Sequence, residues 1–286
     1  MEKFIDLHTH SIASDGTMTP SEVVAEAKRA GLCAIALTDH DTTAGLDEAK
    51  RAGLECGIEV IGGIEINADY DGEMHILGLF IDEKDPELSA AIGEMKNFRA
   101  VRNETMIHAL SEMGFPITNE EVCALKKGGD LSNIGRIHMA RLLVEKGLFK
   151  NVQEVFRDYL GTGCPAYFAK QRFSPQDCIR LIHKAHGLAF LAHPILIVPE
   201  EDRLRSLLSF LKSQGLDGVE CLYSSHPPVY QHLCETICHK LSLLKSGGSD
   251  FHADNKPHIK IGHVFNEAPI PYKILQDIKD FRDNLL

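Results

Sequence analysis

The reading of this chain turns on residues 3–41, KFIDLHTHSIASDGTMTPSEVVAEAKRAGLCAIALTDHD. Residues 3–8 form a short β run that ends in a His-x-His pair. "TPSEVVAEAKRAG" then reads as a helix, with Thr or Ser at its cap, Pro near the first turn and Gly31 as its stop. "CAIALTDHD" is a second β run. Strand, helix and strand in this order make one βα unit of a sheet. The unit leaves His8, His10, Asp39, His40 and Asp41 at or beyond strand ends.

Working outward, "GLDEAKRAGLECG" is a further helix and "EVIGGIEIN" a further strand. The rhythm breaks at "EINADYDGEMHILGLFI", where two β-rich runs flank a turn-rich Asp-Tyr-Asp-Gly stretch and predict a hairpin. Over residues 88–160 the strands vanish and helical periodicity takes over, interrupted at "MGFPITNEE" and "KKGGDLSN". The βα rhythm resumes with "SPQDCIRLIHKAHG", "LAFLAHP", "EEDRLRSLLSFLKSQG", "DGVECLYSS", "PPVYQHLCETICHKL" and "LSLLKSGGSDFH". The expectation is an α/β fold of barrel type in three pieces: 1–87 as the first part of the barrel, 88–160 as a mostly helical insertion, and 161–286 as the second part.

A chain of 286 residues with 44% apolar and 25% charged side chains can bury a substantial globular core. No apolar run reaches the roughly 18 residues that span a bilayer, and the first residues read as a strand and not as a signal peptide, so a cytoplasmic location and no membrane partner are expected. A formal charge of −11 argues against binding long duplex nucleic acid, which needs many Lys and Arg contacts to phosphate. The eight cysteines are expected to be reduced thiols. Cys234 and Cys238, one helical turn apart beside His239, lack the second pair that a zinc site would need.

Chemistry collects at strand ends. His8 and His10 have same-face spacing in a strand. Asp39, His40 and Asp41 follow "CAIAL", Glu65 ends "EVIGGI", His75 begins "HILGLF", His193 ends "LAFLA", and Asp250 and His252 follow "LLKSGGS". In a (β/α) barrel the C-terminal strand ends carry the active site. His, Asp and Glu repeated at five of them predict a shared metal site, whereas a lone His-x-His pair would not.

Outside these strand ends, "SNIGRIHMARLL" reads as a helix start capped by Ser132 or Asn133, with Arg136 in the first turn facing a phosphate. Arg99 and Arg102 share a helix face at i, i+3. His226, in the loop after "VECLY", is a candidate substrate contact.

The stretches "DLHTHSIASDGTMTP", "ALTDHDT", "GIEI", "MHILGL", "LAHP", "DGVE" and "GGSDFH" together resemble the PHP family, the polymerase and histidinol phosphatase superfamily of metal-dependent phosphoesterases. "NIGRIHMARLLVEKG" and "YLGTGCPAYF" are similar to the branch that includes nucleoside 3′,5′-bisphosphate phosphatases and 5′-to-3′ exoribonucleases acting on short RNA. The resemblance implies a distorted seven-stranded (β/α) barrel with two to three divalent ions, Mn, Zn, Fe or Mg. It implies that His8, His10, Glu65 and Asp250 hold one ion, with Glu65 bridging to a second held by His75 and His193. Asp15, His40 and His252 would hold the third. Only the resemblance selects Asp15 over Asp39 or Asp41.

The expected reaction is phosphate ester hydrolysis by a water that two ions share and ionise near neutral pH. Asp15, Glu65 and His226 stand nearest the chemistry in this reading, and Arg136, Arg99 and Arg102 bind the substrate under a helical lid. The substrate is expected to be a nucleoside 3′,5′-bisphosphate that loses its 3′-phosphate, or else a short 5′-phosphorylated RNA. A non-catalytic scaffold or metal sensor is the reading from another class, and it predicts missing ligands that this chain retains.

Overall fold

The computed structural model describes residues 2–70, 72–126, 128–169 and 171–285. β1 (Phe4–Thr9) buries every residue but its first, because it is an interior strand: β2 (Ala34–Leu37) pairs with it in parallel on one side and β9 (Ala268–Pro271) antiparallel on the other. Between β1 and β2 runs α1 (Pro20–Arg29). Thr19 caps α1: its Oγ1 accepts the Glu22 N–H at 3.2 Å, while Glu22 Oε2 accepts the Thr19 N–H at 2.7 Å. α2 (Leu46–Cys56) then ends on Gly57, whose φ of 69° supplies the left-handed stop.

β3 (Glu59–Ala68) lies parallel to β2, and β4 (Met74–Leu79) returns antiparallel to β3, as the hairpin reading expects. Asp71 of its turn lies outside the described residues, as does Lys127 of the "KKGGDLSN" break. After β4 the chain runs through α3 (Pro86–Glu112), α4 (Asn119–Ala124), α5 (Arg136–Glu145) and α6 (Val152–Val155), the last passing into one π-helical turn at Phe156–Leu160. Next come α7 (Pro175–Lys184), β5 (Leu188–Leu191), α8 (Glu201–Ser213), β6 (Gly218–Tyr223), α9 (Pro228–Leu241) and β7 (Leu244–Gly248). A two-residue β8 (His263–Val264), β9 and α10 (Lys273–Asp283) complete the chain.

The fold is α/β, with one sheet ordered β7-β6-β5-β4-β3-β2-β1-β9-β8. The chain beyond β7 returns to β1: His8 O accepts the Asp250 N–H at 2.9 Å, and His10 N–H donates to Phe251 O at 2.9 Å. This brings the first strand and the seventh together at the end that carries the histidines. Gly248 permits the approach, since a Cβ there would stand 2.2 Å from the Cβ of His8.

Two compact units emerge, Met1–Ala90 with Phe173–Leu286, and Ala91–Arg172. The second has its own core, including Met106, Leu110, Val122, Met139, Leu143 and Leu160. Among the described residues no helix is long and apolar enough to cross a membrane.

Two features depart from the sequence reading. α5 is capped by Gly135, not by Ser132 or Asn133. The side chain of Asp130 takes both the N–H and the hydroxyl of Ser132, and Asn133 Oδ1 turns back to accept the Asp130 N–H, so both candidate caps are spent on a local turn. The sequence reading assigned no elements at β8, β9 or α10: β8 is too short for periodicity and the two prolines of Ala-Pro-Ile-Pro disfavour a strand, whereas the helical spacing of Ile274, Leu275 and Ile278 in α10 was available and missed. The Thr19 cap gives a direct test of local stability: Thr19→Ala should destabilise the fold by about 1 kcal/mol in urea denaturation.

Candidate metal centre

Strand direction decides which side chains can meet. β1, β2, β3, β5, β6 and β7 deliver residues from their C-terminal ends, while β4 runs the other way and delivers His75 from its start. The register pairs Asn67 with His75 across the hairpin, two residues beyond Glu65. His40 bridges to Glu65 in parallel, through Glu65 N–H to Asp39 O at 3.2 Å and Asp41 N–H to Glu65 O at 2.9 Å. His193 follows β5 with φ of 26°, a conformation that turns the chain sharply at the strand end.

The carboxylate of Glu65 is wholly buried at the centre. Its Oε2 stands 3.4 Å from His8 Nε2, 3.2 Å from His10 Nε2 and 2.9 Å from His40 Nδ1. Its Oε1 stands 2.8 Å from His75 Nδ1 and 3.0 Å from His193 Nε2. Asp250 Oδ1 lies 3.4 Å from His10 Nε2 and 3.3 Å from His252 Nδ1, while its Oδ2 accepts from Tyr223 Oη at 3.0 Å and from Lys256 Nζ. On the open side, Asp15 Oδ1 is 3.1 Å from His252 Nε2 and Oδ2 is 3.7 Å from His40 Nε2.

Among the described residues three groups have ligand atoms within 4.8 Å of one another: His8 with His10 and Glu65; His40 with Glu65 and His75; and His10 with Asp15, His40 and His252. His8 Nε2, His10 Nε2, His40 Nδ1, His193 Nδ1 and Glu65 Oε2 are buried without a hydrogen-bond partner. Such atoms are costly to bury unless something else satisfies them. A set of imidazole nitrogens and carboxylate oxygens aimed at common points fits divalent ions.

The electrostatics of the cluster agree. Burial lowers the His10 imidazole to about 3, helped by His252 beside it. Burial acts the same way on His40, but Glu65 and Asp15 outweigh it and lift that ring to about 9. His8 is also raised, Glu220, Glu65 and Asp250 together overcoming its desolvation. Burial opposes ionisation of Glu65 and Asp250, yet the surrounding imidazoles hold both carboxyls below their ordinary range.

Asp39 and Asp41 are committed elsewhere. Asp39 accepts from Ser11 N–H at 2.8 Å, Ser11 Oγ at 2.7 Å and Ser14 Oγ at 2.6 Å, and Asp41 accepts from Asn67 N–H and Nδ2 at 3.0 and 3.1 Å. Asp15 instead joins the outer group. His226 belongs to none of the three groups: its Nδ1 donates to Cys221 O at 2.8 Å, and its ring packs between Tyr223 and Tyr230. Its Nε2 is buried without a partner.

Sequence reasoning gave Glu220 no role, although it is a carboxylate within the buried run "GVECLY". It stands 2.9 Å from His8 Nδ1 and accepts the His193 N–H at 2.8 Å. A charged residue in a strand otherwise buried throughout was the available signal.

In the second unit, Arg136 donates to Leu160 O at 3.1 Å, with its guanidinium 5.4 Å from the Tyr167 ring and 5.6 Å from that of Phe156. Arg102 Nε donates to Phe168 O at 2.8 Å. Burial lowers Arg102 to about 10, with Arg136, Arg99 and Arg172 adding to the effect. These arginines therefore form one group of like charge.

Residues 6–194 match the PHP domain family, and the chain belongs to it. It is 36% identical over 253 residues to a Haemophilus influenzae 5′-3′ exoribonuclease, covering 88% of this chain and 91% of that one. It is 33% identical over 276 residues to a Chromobacterium violaceum 3′,5′-nucleoside bisphosphate phosphatase, covering 96% of each. A solved Bifidobacterium adolescentis structure, provisionally named a metal-dependent phosphoesterase, superposes with a TM-score of 0.80 at 32% identity, covering 96% of this chain and 95% of that one.

Burial pulls the His226 imidazole down to about 4 from an ordinary 6.5. A base held neutral by the fold contributes stability above pH 6.5 that is lost as pH falls toward 4, because the unfolded chain takes up its proton first. Thermal midpoints measured from pH 7 to 4 should therefore fall less steeply for His226→Asn than for the unaltered chain. Converted to unfolding free energy, the difference in slope should be at most about 1.4 kcal/mol per pH unit.

Proposed function

We propose that this chain is a metal-dependent phosphoesterase that removes the 3′-phosphate of nucleoside 3′,5′-bisphosphates. The observation that carries the reading is the buried Glu65 carboxylate, shared by two of the three groups of ligand atoms. In this reading His8, His10, Glu65 and Asp250 hold one ion, Glu65, His75 and His193 a second, and Asp15, His40 and His252 a third. When bound, divalent ions such as Mn, Zn, Fe or Mg supply Lewis-acid stabilisation of phosphoryl charge and make a nucleophile available from water near neutral pH.

The chain's own residues do the rest. Glu65 and Asp250 offset the charge of the ions only in part, which leaves the pocket attractive to phosphate despite a net charge of −11. Arg136, with Arg99 and Arg102, binds the substrate's phosphate oxygens. His226, whose Nδ1–H is spent on Cys221 O, has Nε2 free to accept a hydrogen bond from the substrate near the leaving group. A cytoplasmic site of action completes the proposal.

A second reading is a 5′-3′ exoribonuclease on short 5′-phosphorylated RNA, favoured by the Haemophilus influenzae relative. Assays with Mn on adenosine 3′,5′-bisphosphate beside such an RNA separate the two, and absence of any product from either substrate refutes both. His8→Ala and His10→Ala should stay folded, lose bound metal and lose activity on the order of 10³-fold or more, since metal catalysis contributes several kcal/mol. Unchanged turnover would remove the proposed site. Arg136→Ala should raise KM by roughly 10- to 100-fold, the loss expected for a charge-assisted hydrogen bond, with a smaller change in kcat.

A further inference from the structure

Glu220 is wholly buried in β6, and both of its oxygens are committed. Oε1 lies 2.9 Å from His8 Nδ1, and Oε2 accepts the backbone N–H of His193 at 2.8 Å. Since a carboxylate can only accept, His8 Nδ1 is the donor. The other nitrogen of the ring, Nε2, then faces Glu65 at 3.4 Å and Asp250 at 3.7 Å and has no hydrogen-bond partner.

The strand order makes this contact improbable without a special provision. β6 is paired to β7, and it is β7 whose far end meets β1. To reach His8, the Glu220 side chain must pass the end of β7, and there the chain has Gly248. A Cβ on Gly248 would lie 2.9 Å from Glu220 Oε1 and 2.2 Å from His8 Cβ. The missing side chain opens a window for the hydrogen bond. The second contact is equally specific, because His193 holds φ of 26° and its N–H would otherwise be a buried orphan.

We propose that Glu220 is a positioning residue of the metal centre, which it serves without being a ligand. Through one carboxylate it fixes the His8 ring with Nε2 toward Glu65, and it anchors the turn that presents His193. The inference rests on the metal-centre reading above and deepens it: one second-layer carboxylate couples a histidine of the first proposed ion site to a histidine of the second. Loss of such outer partners ordinarily weakens metal binding by about 10- to 100-fold.

The test uses the full chain stripped by chelator and titrated with Mn(II) or Zn(II), with no substrate present. Glu220→Gln keeps the shape and can still accept the His193 N–H through its amide oxygen. Its NH2 group then faces His8 Nδ1 and donates, which drives the ring proton to Nε2, the nitrogen needed for the ion. Glu220→Gln should unfold cooperatively yet bind metal about 10- to 100-fold more weakly. Glu220→Asp keeps a carboxylate on the same strand and should recover part of the affinity. Metal binding by Glu220→Gln within twofold of the unaltered chain, or tighter than by Glu220→Asp, overturns the proposal. Should the phosphoesterase reading fail, the unaltered protein hydrolyses no ester while the titration still reads out, so the two failures are distinguishable.

Discussion

The structure depends on one buried carboxylate. Glu65 sits in the C-terminal half of β3 with five imidazoles within 3.4 Å of its oxygens. An isolated ionised carboxylate in a dry interior is strongly unfavourable, and the imidazoles around it can compensate only by taking up protons or by sharing an ion with it. The two responses compete. An imidazole that held an ion would have to present a free nitrogen to it, so uptake of protons and of metal would oppose each other. Folding and metal binding therefore draw on the same set of atoms.

The sheet makes such a cluster tolerable. Ile64 and Ile66, the neighbours of Glu65, are fully buried, as are Ile76 and Leu77 on β4 and Phe190 and Leu191 on β5. The candidate ligands meet at one end of the sheet beside this apolar core, so the cost of the buried charges is offset locally by their mutual contacts and globally by the core. Reversal of β4 is part of the same arrangement. A parallel strand in that position would carry a residue at its start to the opposite end of the sheet, whereas the hairpin places His75 beside Glu65.

The second unit has a different chemical character. Two of its arginines meet the segment Tyr167–Phe168, where Arg136 lies near the Tyr167 ring and Arg102 donates to the Phe168 carbonyl. Contacts of guanidinium ions with backbone carbonyls and aromatic faces, unlike ion pairs, leave much of the positive charge uncancelled. This complements the proposed phosphate chemistry.

Much of this was legible in the linear sequence, since local rules sufficed: a Thr or Ser cap before α1 and the hairpin after β3 each follow from neighbouring residues. The placement of His, Asp and Glu at successive strand ends was equally visible, because strand direction and a shared sheet imply a shared end. What the sequence left open was decided by contacts between distant segments. Spacing alone could not tell Asp39 and Asp41 from Asp15, which only the family resemblance selected; in the structure Ser11, Ser14 and Asn67 occupy the first two. Glu220 acquired a role only because Gly248, 28 residues later, leaves room for it to reach His8, 212 residues earlier. The sequence by itself determined which groups could bind metal and at which end of the sheet they lie. Tertiary structure alone decided which of them are free to do so, since a carboxylate already accepting hydrogen bonds has few lone pairs left to offer an ion.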